Sequence, residues 1–185
     1  MQLDKAIQQR YSYKKFNDKK PNWRTIIECI DAARYAPMAG KNYSLNFILV
    51  DDEKIIDKLA EAAQQDFIKQ AKFVVAVVTN PSKTKNLFEE RADRYLKQQA
   101  GAAIQNFLLK IEENGLATCW IGHFADKQVN RILGVKGDKE VEAFFPIGYP
   151  MKKPKTRRAP INLDRILHFN SSGNSHMKGP RAMDA

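Results

Sequence analysis

Phe73-Val74-Val75-Ala76-Val77-Val78 is an unbroken apolar run, mostly β-branched, with no polar residue at alternate positions. A strand with one wet face alternates; a strand without alternation belongs in a sheet covered on both faces. Asn80-Pro81-Ser82 ends it. Outward from this run, Phe47 to Val50 reads as a second buried strand, Leu116 to Ile121 as a third, and Ala143 to Tyr149 as a fourth, closed by Pro150. Helical spacing fills the intervals. Asp4 is placed to cap a short first helix, Lys5 to Gln9. Asn22 caps a second, with Trp23, Ile26, Ile27, Ile30 and Ala33 as its apolar face and Pro37 as its stop. Glu53 to Gln70 reads as one helix with Ile55, Ile56 and Leu59 inward. A long helix follows Pro81, with Tyr95, Ala102, Ala103, Phe107, Leu108 and Ile111 inside and Gly115 as terminator. Asp126 caps a short one carrying Val129, Ile132 and Leu133. Helices alternating with buried strands predict helices layered over a sheet, α/β or α+β.

At 185 residues the chain favours one domain and can bury a core without disulfides. Hydrophobic residues at 43% and charged residues at 28% exclude a disordered chain. No apolar run approaches the roughly 20 residues of a membrane span, and the N-terminus lacks the apolar core of a signal peptide. Cys29 and Cys119 make neither a disulfide framework nor a metal spacing, so a reducing cytoplasm is the expected home. Residues 1–170 are expected to form a single domain, and 171–185, rich in Ser, Gly and Met, a flexible tail or a cloning remnant.

Charge is the unusual quantity. Thirty-one Lys and Arg against 21 Asp and Glu leave a formal net of +10, which points to an anionic partner. Nucleotide signatures of the G-x-G-x-x-G and G-x-x-x-x-G-K-[ST] types are absent. The three histidines are scattered, so no metal site and no catalytic triad is expected. Two basic clusters remain. Arg10, Lys14, Lys15, Lys19 and Lys20 surround one acid, Asp18; Lys152, Lys153, Lys155, Arg157 and Arg158 surround none. Any single lysine here is best read as a solvated surface charge. Arg10 and Lys14, however, flank Ser12, and a guanidinium, a hydroxyl and an ammonium at that spacing can converge on one phosphate.

These residues carry a resemblance. Arg10-Tyr11-Ser12-Tyr13-Lys14-Lys15-Phe16 is similar to the Arg-x-Ser-x-[Arg/Lys]-x-Phe opening of the nitroreductase family of FMN-dependent oxidoreductases. Ala32-Ala33-Arg34-Tyr35-Ala36-Pro37 leading to Asn42 resembles its A-A-x-x-A-P segment. Ala103-Ile104-Gln105-Asn106-Phe107-Leu108-Leu109, then Gly115-Leu116-Ala117-Thr118-Cys119-Trp120-Ile121-Gly122, resembles its central block. Phe145 to Pro150 and Arg158-Ala159-Pro160 resemble its closing strand and basic tail. The matches run in order from residue 10 to residue 160.

The resemblance implies an α+β fold: a three-layer α/β/α sandwich around a central mixed, mostly antiparallel sheet, homodimeric, with FMN at each end of the interface. It implies that Arg10, Ser12, Arg157 and Arg158 hold the phosphate, with Tyr11 in the same segment. By the resemblance Lys14 would approach the pyrimidine edge, where a cation makes the flavin easier to reduce. By the same resemblance Asn42 would bond the ring system, and Ile121, Gly122 and His123 would present backbone N–H groups toward N5. Met38 stands where the family often has Ser, and either Lys41 or Asn42 fills its Asn position. The short segment between Pro81 and Tyr95 implies an open site. The expected activity is ping-pong hydride transfer from NADH or NADPH to a small electron acceptor such as a nitroaromatic or quinone. The cofactor carries the chemistry, so no catalytic side chain is named. Two other readings stand beside it: an FMN-binding regulatory or storage module with little turnover, and a basic nucleic-acid-binding domain, for which no helix-turn-helix, zinc finger or RNA-binding strand is visible. Neither nucleic acid nor membrane is an expected partner.

Overall fold

The computed structural model describes residues 2–152 and 160–177. The chain divides into a unit spanning Met1–Lys153 and a smaller one spanning Pro154–Ala185. Four strands, β1 (Leu45–Val50), β2 (Phe73–Thr79), β3 (Ala117–Thr118) and β4 (Glu140–Gly148), form one sheet in the order β1-β2-β4-β3. Every strand pairing is antiparallel. All seven residues of β2 are buried, as the unbroken apolar run requires.

Alternation along β2 explains the layers. Phe73, Val75 and Val77 pack on one face with α2 (Trp23–Ala33) and α5 (Ala92–Glu113). Val74, Ala76 and Val78 pack on the other with α3 (Glu53–Ala63) and α6 (Asp126–Ile132). This is the expected three-layer α+β sandwich. Each fully buried Val or Phe contributes about 1.5–3 kcal/mol, which is what holds helices to both faces.

Several expected elements differ in extent. α2 begins where the Asn22 side chain accepts from the Arg24 N–H at 3.0 Å. Its inward face is Ile26, Cys29 and Ala33, while Trp23 and Ile27 point outward. The reading of 53–70 as one helix is corrected: α3 stops at Ala63, Gln64 turns left-handed at φ 54°, and a separate 3-10 turn covers Asp66–Gln70. Asp4 and Asp126 lie in the first turns of α1 (Leu3–Gln9) and α6 rather than capping them. The interval after Pro81 holds a short helix, α4 (Ser82–Phe88), before α5. β3 is only two residues long; Ile121 rejoins the sheet by an isolated bridge to Phe144. The smaller unit contains a 3-10 turn, Leu163–Arg165, and a loop in which Asn174 Nδ2 donates to the Phe169 carbonyl at 2.8 Å.

Candidate functional site

The basic segment after α1 is an arm bound along the β3 edge. Arg10 caps α1, its N–H donating to the Ala6 carbonyl at 3.0 Å. Ser12 then pairs with Thr118 in a parallel bridge, and the Tyr13 N–H donates to the Thr118 carbonyl at 2.9 Å. Further on, the Phe16 N–H donates to Gln70 Oε1 at 3.3 Å, and the Asn17 N–H to the Tyr149 carbonyl at 3.0 Å. Tyr13 and Phe16 turn inward against Ala71 and Ala117, while Tyr11, Ser12 and Lys14 stay exposed. The Tyr11 ring meets Tyr13 edge-on at 5.2 Å. Burying Tyr13 and, three residues on, Phe16 therefore leaves the Ser12 hydroxyl and the Lys14 and Lys15 ammonium groups outward.

Lys14 Nζ lies 5.6 Å over the Phe67 ring. Burial pushes the Cys119 thiol up from its ordinary value, and the positive charges of Lys14 and Arg10 oppose that rise. Cys29 is pushed up to about 12, chiefly by burial, and stays a neutral thiol.

Beyond β3, Ile121 is buried, and its N–H donates to the Phe144 carbonyl at 3.0 Å. That donor is committed to the sheet. Gly122 and His123 are exposed, and no hydrogen bond within the described residues uses their N–H groups. They are the two donors left over where the bridge ends.

Asn42 lies elsewhere. Its Nδ2 donates to Ser44 Oγ at 2.8 Å and to Thr84 Oγ1 at 3.0 Å, and its carbonyl accepts from Gln99 Nε2 at 3.1 Å. Gln99 Oε1 accepts from the Ser44 N–H at 2.8 Å, so one buried amide on α5 clamps the loop from both sides. Lys41, at φ 54°, is exposed. The loop leads into β1 at Leu45, which faces Thr79, whereas Thr118 faces Ile147, the partner of Phe73. Six residues of β2 and three strand spacings separate the two, about 20 Å along the strands and about 14 Å across them. Within one chain, no single ring system reaches both Lys14 and Asn42.

Arg157 and Arg158 lie outside the described residues. The groove of about 480 Å³ between α1, α2 and α5 is lined by Leu3, Ala6, Ala32, Tyr35, Asn106 and Leu109 among others, and contains none of the expected site residues. Among the described residues no group of His, Cys, Asp or Glu could hold a metal ion, and no helix is long and apolar enough to cross a membrane. Three residues of the arm's surroundings carry no sequence signal of their own. Phe67 and Gln70 lie in what reads as helix, and Gly148 lies under the arm, where a Cβ would stand 2.9 Å from Phe16 Cδ1.

The described strands form an antiparallel sheet covered on both faces, with an Arg-x-Ser-x-Lys arm along its edge, which defines an α+β sandwich. The chain belongs to the nitroreductase family, whose model matches residues 7–66 and 61–149. A relative from Archaeoglobus fulgidus, provisionally named an NADH dehydrogenase/NAD(P)H nitroreductase, is 27% identical over 169 residues, covering 88% of this chain and 94% of its own. The NADPH:FMN oxidoreductase of Vibrio harveyi, solved with NAD+, superposes with a TM-score of 0.82 at 19% identity, covering 91% of this chain and 77% of its own. An FMN-dependent nitroreductase of Clostridium difficile superposes with a TM-score of 0.76 at 23% identity, covering 90% and 98%.

Proposed function

We propose that this chain is an FMN-dependent NAD(P)H oxidoreductase that reduces small electron-poor acceptors such as nitroaromatics or quinones. The observation that carries the reading is the arm itself, with Ser12 and Lys14 held outward by the burial of Tyr13 and Phe16 and Arg10 half-buried at the end of α1. FMN suits the groups present. Two cations and a hydroxyl complement a phosphate monoester, which carries close to two negative charges. Buried next to Ser12, the Thr118 hydroxyl has no partner among the described residues and can accept one more polar contact. The Gly122 and His123 N–H groups are likewise available to a ring nitrogen.

Bound FMN supplies the hydride-accepting ring. Arg10 and Ser12 would anchor its phosphate, with Arg157 and Arg158 proposed as further cations. Tyr11 lies in the same segment, and Lys14 would place a positive charge beside the pyrimidine edge, favouring the reduced form. NADH or NADPH and the acceptor occupy the same face in turn, which makes the kinetics ping-pong.

The corner-to-corner separation of Lys14 and Asn42 favours a homodimer, in which a two-fold axis brings the arm of one protomer to the Asn42 loop of the other. Leu3, Ile7, Trp23, Ile27 and Tyr35 are exposed apolar side chains on or beside α1 and α2, the kind of surface a second copy covers. Two free, buried cysteines suit a reducing cytoplasm. One observation favours the low-turnover binding module as a second reading: the Asn42 amide is already spent on Ser44 and Thr84.

Charge reversal tests the phosphate assignment. Arg10 is half-buried at a helix end and outside the core, so Arg10→Glu should keep its far-UV spectrum and lose FMN on gel filtration. Undiminished flavin content in that variant would remove the assignment.

A further inference from the structure

We infer that Thr118 is a further cofactor-binding residue, its hydroxyl donating to the phosphoryl end of the FMN that Ser12 also holds. The inference rests on the flavin reading above and adds to it a residue buried in the sheet. Thr118 is 4% exposed, and its Oγ1 has no hydrogen-bond partner among the described residues. Buried hydroxyls are almost always paired, so an orphan in a native sheet calls for a specific cause. Threonine at this position has no packing justification that valine would not meet equally well, since the two side chains have nearly the same shape.

Its place in the register supplies the cause. Thr118 is the bridge partner of Ser12. Residues paired across a bridge set their side chains on the same face, with Cβ atoms about 5 Å apart. The two side chains are therefore neighbours, Ser12 in the exposed outer row and Thr118 in the buried row behind it. The Thr118 hydroxyl is covered in the free chain, and a turn about its Cα–Cβ bond would bring it toward an anion resting on Ser12. The N–H of the next arm residue, Tyr13, is bound to the Thr118 carbonyl, so arm and strand hold the two groups in fixed relation. The same hydroxyl bears no such relation to the pyrimidine edge, which is assigned to Lys14 two residues further along.

The test compares FMN with riboflavin, which shares the ring and ribityl chain and lacks the phosphate. In Thr118→Val we expect the Kd for FMN to rise about 10- to 100-fold, the usual weight of a hydrogen bond to a charged group, and the Kd for riboflavin to stay the same. Thr118→Ser keeps the hydroxyl and should bind FMN like the parent. Without flavin, Thr118→Val should unfold at the same urea concentration or a higher one, because it removes an unsatisfied buried group. An unchanged FMN affinity, or equal losses for both flavins, would overturn the assignment. So would a flavin-free Thr118→Val protein that unfolds earlier or does not fold, since the hydroxyl would then have a partner already. Failure of the underlying reading looks different: the parent protein itself would bind no FMN, or would bind it equally well after Arg10→Glu.

Discussion

At the level of single residues, the arm works by contrast between neighbours. Tyr13 and Phe16 are buried so that Ser12 and Lys14 can be presented, and the contact that sets the height of the arm is Phe16 over Gly148. Phe16 is almost wholly buried and cannot swing aside as a surface side chain would. Gly148→Ala should therefore cost about 1–3 kcal/mol of stability, the usual range for overpacking, measured by urea unfolding. It should also weaken FMN binding, because displacing Phe16 displaces the residues around it. A variant as stable as the parent would mean that the arm shifts freely. Lys14 is held in a second way, over the Phe67 ring at a distance typical of a weak cation–π contact.

At the level of elements, β4 carries both packing and an ionisable burden. Glu142 faces a small cavity shared with Thr79, Lys85, Asp93, Lys97, Asp138 and Glu140. Burial is the main cause that raises its carboxyl above the ordinary value, Glu140 adds to the rise, and Lys97 opposes it. A raised carboxyl means the folded state binds the proton more tightly than the unfolded chain does. Its contribution to stability is then present at acid pH and lost as the pH climbs through the raised value. Glu142→Gln should raise the thermal midpoint at pH 7 and leave it unchanged below about pH 4, where both side chains are neutral. An equal shift at both pH values would show packing, not ionisation, at work.

The element scale also shows what the sequence made legible. β2 was readable because nothing in it alternates, and a sheet covered on both faces is the one place such a strand fits. α2 was readable from its Asn22 cap, yet its apolar stripe is wider than its buried face, and Trp23 and Ile27 could not be told from core by spacing alone. The break at Gln64 left no trace, because a left-handed residue without Gly or Asn carries no compositional mark. Leu116 to Ile121 has strand composition throughout, but only Ala117 and Thr118 find continuous partners on β4. In the site, Arg10, Ser12 and Lys14 were marked by type and spacing. Thr118 was not, since its significance lies in a bridge between residues more than a hundred positions apart.

At the level of the whole molecule, the sheet sets the stoichiometry of the proposed site. The arm and the Asn42 loop occupy opposite corners of the sheet, so a flavin in contact with both needs two copies of the chain. Binding and association are then linked, and flavin should stabilise the dimer by mass action. On dilution, recovery of free-flavin fluorescence should track loss of dimer in sedimentation velocity. Flavin retained by a monomer would confine the site to the arm of one chain. The net charge of +10 suits the proposed anionic cofactor, and the arm contributes five of the cations.

The most direct test is the visible spectrum of the purified protein, after adding FMN if it emerges colourless, recorded before and after anaerobic NADPH or NADH. We expect flavin bands approaching one per chain that bleach when the nicotinamide is added. A colourless protein that takes up no added FMN would contradict the proposed function at its root.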